Sequence, residues 1–558
     1  VNVGNRAEYV PADADAVAAV GAKFVFLDGT YDFNSLNGGQ AFTLAKDQSV
    51  EGFDNGNTVI YGTVQPANIS GDLGASGGIA SRTSSLSITD SAANGIFDLA
   101  GGNSLLDITL TGSAATTYLV SANGATVGFD NTNGISLNGV TMSNPAGRAT
   151  GLQFTKLSGN VVVDGNNINL ASGNLLDING GTAVYTIVRG TQPDVGSTPG
   201  VLSGSTMRVR NTTGGSVTLN GMTLSSSGTL VTLDNNDATF SFLNETISGG
   251  IGSTLFDIDT GTGGSTTDLT FDASNSITQA RGTIAKIGAG ARNIDLSLFD
   301  FNNINTTNAN VISSFGQTGG TIRFGNIGIS NYNNAAGTAV SLTGSGGTVR
   351  FSDLDITAAN GAGLNVGGIT FDPGATPTIS ALNGNALTMS GTTIAGGSKT
   401  FDSVTSGGGT FGIQMASVTG TTTFTTVNID NSTLDGIRLN NAGTIFINGG
   451  TIDGTTDNGI NCTNANLTLS GLTIGGAAPI GARGIQIFNT ASKTVAINNT
   501  TVTNTQDFGI YVDGSPGGTT TVTSFNGNTV SKSGAGGVDF DTVTFDADTS
   551  TAGIQQVT

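Results

Sequence analysis

Histidine and tryptophan are absent from this 558-residue chain, and cysteine, proline and charged residues are scarce. Without histidine, the chain can build neither a serine–histidine catalytic triad nor a zinc site with histidine ligands. The single cysteine, Cys462, rules out an internal disulfide. Apolar runs all fall short of the roughly 20 residues that a membrane-spanning helix needs. These absences remove several common classes of enzyme and of membrane protein.

The few charged residues are mostly acidic. Lysine and arginine total 19 against 39 aspartate and glutamate, which gives a net charge of −20 with no basic block. Because a phosphate backbone is bound by clustered cations, we expect no nucleic-acid partner. The same sign disfavours anionic membrane surfaces, so we also expect no membrane insertion by this segment.

Glycine is abundant instead, with 87 residues, and apolar residues make up 37% of the chain. Many of the apolar residues alternate with polar ones, which disordered segments do not do. A five-residue pattern recurs in the second half: any residue, glycine or alanine, an aliphatic, a polar residue and an apolar residue. Its central aliphatics lie about 25 residues apart, a period typical of stacked repeats. They are Val340, Leu364, Leu387, Ile413, Ile437, Ile460, Ile485, Ile510 and Val538.

Alternation with a period of two places one set of side chains inside and the other outside a half-buried strand. Cys462 takes one of the inward positions. Two further short strands follow within each period, as at residues 444–447 and 451–452, and Asn448, Gly449 and Gly450 between them can supply the left-handed backbone of a tight corner. Three strands and three turns per period predict one coil of a three-sided parallel β-helix. Leucine-rich repeats, propellers and helical repeats fit the period or the composition less well.

The sequence therefore predicts an all-β, single-stranded, right-handed parallel β-helix of about 20 coils over residues 23–558. At two places the repeat pattern is interrupted, which predicts loops that leave the β-helix near residues 189–200 and 371–378. Residues 1–22 are predicted to form an N-terminal cap with a short helix, since repeat arrays need lids over their exposed core. No equivalent lid is recognised at residues 545–558.

Two segments near the N-terminus, FVFLDGTYDF at 24–33 and FTLAKDQSVEG at 42–52, carry a family resemblance. They resemble the opening coils of pectate-lyase-like right-handed β-helix proteins. The glycine–isoleucine coils are similar to those of bacterial surface β-helix proteins, such as autotransporter passenger domains and giant repeat adhesins. The resemblance implies a fold and leaves the function open.

Enzymes of this superfamily act on polysaccharides with outward residues of one sheet: lyases use an arginine or lysine base with calcium held by aspartate, and hydrolases use paired aspartates. By that resemblance, the candidates here are Asp435, Asp457, Arg438, Arg483 and Asp507, on coils about 4.8 Å apart. Calcium is the one cofactor that this reading would involve, and no recognisable calcium-binding nonapeptide supports it. The alternative is that these positions are simply polar, solvated corners.

A second candidate is a ligand-binding row formed by the polar middle residues of the pattern. Its members are Arg438, Asn461, Gln486, Tyr511 and Asp539. We expect a non-catalytic extracellular or bacterial cell-surface module that acts as an adhesin, a stalk or a structural protein. Its partners would be a glycan or a surface protein of a host or the environment, or further copies joined end to end or side by side. The alternative is a polysaccharide lyase or glycoside hydrolase, such as a phage tailspike.

Overall fold

A computed structural model of the chain describes residues 2–3, 23–27, 30–32, 42–53, 87–90, 95–106, 108–126, 129–138, 140–144, 149–165, 167–170, 173–189, 201–259, 268–514 and 518–545. These residues form parallel strands joined by turns, without a helix, and none of them belongs to a helix able to cross a membrane. The chain divides into two compact units, Val1–Thr278 and Gln279–Thr558. The predicted cap lies outside the described residues except for Asn2–Val3, which form a strand.

In the first unit the strands stack in three parallel ladders. The first ladder contains Phe42–Thr43, Phe97–Leu99, Tyr118–Asn123, Thr150–Leu157, Asn174–Gly181, Thr206–Thr212, Thr229–Asp234 and Ser253–Ile258. The second contains Asn2–Val3, Lys23–Leu27, Ser49–Phe53, Ser104–Leu106, Ile135–Asn138, Asn160–Gly165, Val184–Arg189, Ser216–Asn220, Thr239–Leu243 and Asp268–Phe271. The third contains Thr30–Asp32, Ser87–Asp90, Thr109–Gly112, Thr141–Ser143, Asn167–Asn169, Val201–Gly204, Met222–Ser226, Thr246–Gly249 and Ser276–Gln279.

The second unit repeats the three ladders with a more regular sequence. Its first ladder includes Gly282–Ile287, Gly290–Ala291, Ile312–Gly319, Leu387–Ser390, Ile413–Ala416, Ile437–Asn440, Ile460–Thr463, Ile485–Phe488, Phe508–Asp513 and Gly536–Asp541. The second includes Asn293–Leu296, Thr370–Asp372, Thr444–Ile447, Asn466–Ser470, Lys493–Asn498, Thr520–Asn526 and Val543–Phe545. The third includes Phe301–Thr306, Thr378–Ala381, Gly450–Asp453, Leu472–Ile474, Thr501–Thr505 and Thr529–Ser533.

Four long strands of this unit bend through more than one ladder: Thr321–Gly344, Thr348–Gly367, Thr393–Ser406 and Thr419–Asp430. The predicted all-β parallel solenoid is confirmed. Of the loop predicted near 371–378, residues 373–377 connect two strands. Of the loop predicted near 189–200, Arg189 ends a strand and residues 190–200 lie outside the described part of the chain.

The register of the second unit is the one that the repeat predicts. Ile437 pairs with Ile460, Ile460 with Ile485, and Ile485 with Ile510. These four side chains are fully buried, as is Cys462. Each buried aliphatic contributes on the order of 1.5–3 kcal/mol to stability. Val538, the last of the predicted inward row, is half-exposed.

The glycine before each central aliphatic has a steric cause. A Cβ added at Gly436, Gly459 or Gly484 would lie 2.6, 2.7 or 2.2 Å from a methyl of a β-branched residue in the third ladder. The residues met are Ile452, Ile474 and Val502, each in the same coil as its glycine. The glycine therefore lets two strands of one coil approach each other closely.

Candidate functional site

The polar middle residues of the repeat form one straight outward row on the first ladder of the second unit. Arg438 pairs with Asn461, Asn461 with Gln486, Gln486 with Tyr511, and Tyr511 with Asp539. Arg438 is exposed and the other four are half-exposed. The sequence thus predicted which side chains stand next to each other on this face.

Asp435 is not outward as predicted. Its side chain is only 2% exposed, because the corner turns it toward the next coil. There Asn458 donates its backbone N–H and its side-chain Nδ2 to Oδ1 at 3.2 and 2.8 Å, and Asn461 donates Nδ2 to Oδ2 at 3.2 Å. Burial raises the pKa of the Asp435 carboxyl, the amide donors of Asn458 lower it, and the nearby charge of Asp457 raises it further.

Asp457 lies beside this buried carboxyl and is half-exposed. The Nδ2 of Asn458 also donates to Oδ1 of Asp457, at 3.1 Å. The Oδ1 atoms of Asp435 and Asp457 both accept from this nitrogen, at 2.8 and 3.1 Å, so these two oxygens are no farther apart than the sum of the two distances. Asp435 and Asp457 form a close pair in which one member is shielded from solvent.

Arg483 and Asp507 form a second cluster on the following coils. The Nε of Arg483 donates to Oδ2 of Asp507 at 3.0 Å, and its guanidinium carbon lies 4.2 Å from the ring centroid of Tyr511. The ring of Phe508 is tilted against that of Tyr511, with centroids 5.8 Å apart. Partial removal from water and the charge of Asp513 raise the pKa of Tyr511, whereas the charge of Arg483 lowers it.

Arg438 makes a similar contact, since its guanidinium carbon lies 5.3 Å from the ring centroid of Phe411. The five predicted catalytic candidates therefore fall into separate local arrangements instead of one continuous charged strip. Within the described ranges, no group of three or more aspartate, glutamate or cysteine side chains is suited to hold a metal ion.

Sequence reasoning missed two aromatic residues of these clusters, Phe411 beneath Arg438 and Phe508 against Tyr511. Both occupy the first position of the five-residue pattern, the position that also holds Asp435, Asn458 and Arg483. Many residue types occur at this position, so the repeat does not reveal that its side chains form a row. The signal that could have identified the row is that the position recurs once in every coil.

Residues 367–543 match a family model described as a right-handed beta helix region. This segment is a right-handed β-helix. The predicted resemblance to pectate-lyase-like right-handed β-helix proteins is confirmed at the level of the fold. The matched segment includes the outward row and all five candidate catalytic residues named above. No curated protein and no solved structure matches the chain.

Proposed function

We propose that the chain is a non-catalytic β-helix module of an extracellular or bacterial cell-surface protein, acting as an adhesin, a stalk or a structural surface. The observation that carries this proposal is that the charged side chains of these coils contact residues of neighbouring coils. Arg483 binds Asp507 and Tyr511, Arg438 covers Phe411, and Asp435 is bound by amides of the next coil. These groups stabilise neighbouring coils, which is what a rigid supporting surface requires.

The outward row also has a composition suited to contacts with a glycan or a surface protein. Asn461 and Gln486 offer amide donors and acceptors, and Tyr511 offers an aromatic ring and a hydroxyl. A row with one such side chain per coil repeats at about 4.8 Å and would favour an extended polymer over a compact ligand. Lateral or end-to-end association of copies belongs to the same proposal, and a stable monomer in light scattering would count against that part of it.

One observation favours a second candidate, a polysaccharide-degrading enzyme. Asp435 and Asp457 are close carboxyls whose environments differ, and glycoside hydrolases use such a pair about 5–10 Å apart as acid and as base or nucleophile. The burial of Asp435 opposes this role, since its proton would have to reach a substrate oxygen.

Incubation with a panel of acidic and neutral polysaccharides distinguishes the two candidates. We expect binding without chain cleavage, measured as unchanged viscosity and unchanged reducing ends. If the wild type depolymerises a substrate, and if Asp457→Asn abolishes this while the exposed control Asp402→Asn does not, the non-catalytic proposal is wrong.

A further inference from the structure

Asparagine followed by glycine is a chemically reactive pair, and this chain contains many copies of it. The side-chain carbonyl carbon of asparagine can close a five-membered ring with the backbone nitrogen of the next residue, and glycine has no Cβ to hinder that approach. Nine such pairs lie entirely within the described residues. Their asparagines are Asn123, Asn133, Asn179, Asn220, Asn360, Asn383, Asn448, Asn458 and Asn526.

In seven of the nine pairs, hydrogen bonds hold at least one of the two reacting groups. Asn458 is the fullest example, since its Nδ2 donates to the Oδ1 atoms of Asp435 and Asp457 and its Oδ1 accepts the backbone N–H of Arg483 at 3.2 Å. The N–H of Gly459 also donates to the carbonyl of Arg483, at 2.9 Å. The other held pairs are those of Asn123, Asn133, Asn179, Asn220, Asn360 and Asn383.

The pairs of Asn448 and Asn526 are different. Both side chains are exposed, at corners that lead from the second ladder to the third. Among the described residues, neither side-chain amide forms a hydrogen bond, and no carbonyl accepts the N–H of Gly449 or Gly527. Exposure alone does not separate these two pairs from the rest, because Asn123 and Asn133 are exposed as well. The difference lies in the missing hydrogen bonds.

We propose that Asn448 and Asn526 are sites of spontaneous deamidation and that the fold protects the other seven asparagines. At Asn448, the nitrogen of Gly449 loses its proton and attacks Cγ, so that an N–Cγ bond forms and the Cγ–Nδ2 bond breaks. Nδ2 leaves as ammonia, which takes up the proton that the nitrogen has lost. Water then opens the succinimide ring at either carbonyl carbon, which gives aspartate or isoaspartate. The conversion consumes one water and involves no oxidation or reduction.

The product changes both the charge and the length of the corner. Either acid is ionised at neutral pH and adds one negative charge. Isoaspartate also adds one carbon atom to the main chain between the strands Thr444–Ile447 and Gly450–Asp453. The carbonyl of Gly449 accepts the N–H of Val427 at 3.0 Å, which fixes this corner against the preceding coil. A longer main chain must therefore disturb the register at this coil, whichever function the module performs.

Incubation of the full folded chain at mildly alkaline pH tests the proposal, with tandem mass spectrometry of its peptides to measure the acid formed at each asparagine. Asn448 and Asn526 should convert roughly tenfold or more faster than Asn458, because the hydrogen bonds of Asn458 must break before the attack. The rates should rise with pH, since the glycine nitrogen must lose its proton. The same chain in concentrated urea is the control, and there the rates of the nine pairs should become similar.

Gly449→Ala adds a variant that the structure tolerates. An added Cβ at Gly449 would have no heavy atom closer than 3.7 Å, so the urea unfolding curve should stay unchanged. The methyl group should slow conversion at Asn448 several-fold and leave Asn526 at its wild-type rate.

Conversion of Asn448 or Asn526 in the folded chain no faster than that of Asn458 would overturn the proposal. An unchanged rate at Asn448 in Gly449→Ala would overturn the attack by the glycine nitrogen. The comparison of folded chain with urea needs no variant, so it decides the question even if Gly449→Ala alters folding.

Discussion

At the scale of single residues, the recurring glycine of the repeat could be read from the sequence, but its cause could not. The pattern predicts a strand that begins after glycine. Only the structure shows that the missing Cβ leaves room for Ile452, Ile474 or Val502 within the same coil. That contact joins residues from two different strands, so local alternation carries no information about it.

Gly459→Ala tests this steric role. The new Cβ would lie 2.6 Å from the carbonyl oxygen of Gly484 and 2.7 Å from Cγ2 of Ile474, so backbone and side chain must both shift. We expect a loss of about 1–3 kcal/mol of stability, typical of overpacking. Urea unfolding followed by circular dichroism measures it.

Gly408→Ala is the matched control, because an added Cβ there has no neighbouring atom closer than 3.9 Å. It should be neutral or slightly stabilising. If both alanine variants unfold at the same urea concentration, close approach is not what selects glycine before the aliphatic residue.

At the scale of the strand, alternation predicted which side chains are buried and which neighbours they have. The prediction succeeded because the same alternation recurs in every coil. An irregular copy can therefore be assigned by comparison with the regular copies beside it. The prediction failed for Asp435, which precedes the strand at a corner, where the two-residue period no longer sets the direction of a side chain. Corner residues of this kind depend on hydrogen bonds to the next coil.

Ile460→Ala should disrupt one coil and its two neighbours. Ile460 is fully buried between Ile437 and Ile485, and truncation of such a residue costs about 2–5 kcal/mol. Because stacked repeats are stabilised by nearest neighbours, the loss should be local. Hydrogen exchange should speed up in the strands of Ile437, Ile460 and Ile485 and stay unchanged at Thr378–Ala381.

Gln486→Ala, on the outward row of an adjacent coil, serves as the comparison. Its effect should remain within about 0.5 kcal/mol, as for most surface substitutions. Equal acceleration of exchange in both variants would contradict the assignment of inward and outward rows.

At the scale of the whole molecule, the repeat made the fold predictable and left the irregular corners unpredictable. Each coil repeats the same three strands, and this repetition is enough to identify a β-helix from the sequence alone. The long corner between the strands Tyr118–Asn123 and Ile135–Asn138 is held by contacts between residues far apart in sequence, such as the ion pair of Lys46 with Asp130. Features that occur once leave no periodic signal.

The stability of the folded chain should also depend on pH through Glu245. Its side chain is fully buried, and both carboxyl oxygens are shielded from solvent. Burial raises the pKa of Glu245 from 4.5 to about 9, and backbone amides of Met222 and Gly221 offset this in part. In the unfolded chain this carboxyl ionises near pH 4.5, whereas in the folded chain it keeps its proton to about pH 9.

The contribution of Glu245 to stability is therefore fully present below about pH 4.5 and is lost as the pH rises toward about 9. Glu245→Gln should remove this loss, so the variant should be more stable than the wild type at pH 8 by at least about 1 kcal/mol and similar to it at pH 4. Urea unfolding across the pH range measures the difference. The outward substitution Gln486→Ala, which removes no titratable group, should leave the pH profile parallel to that of the wild type, and a parallel profile for Glu245→Gln would contradict the prediction.

The in-register pairing of Ile437, Ile460 and Ile485 has a consequence for how such a chain can change during evolution. Gly436–Ile437 and Gly459–Ile460 occupy equivalent positions in successive coils. When one entire coil is gained or lost, the strands on either side of the change therefore still pair in register. A duplication or deletion of that size changes the number of side chains in each outward row by one and leaves the pairing of all other coils unchanged. Insertions of any other length must leave the stack as loops, and the long corner between Asn123 and Ile135 is an example of a connection that breaks the regular spacing.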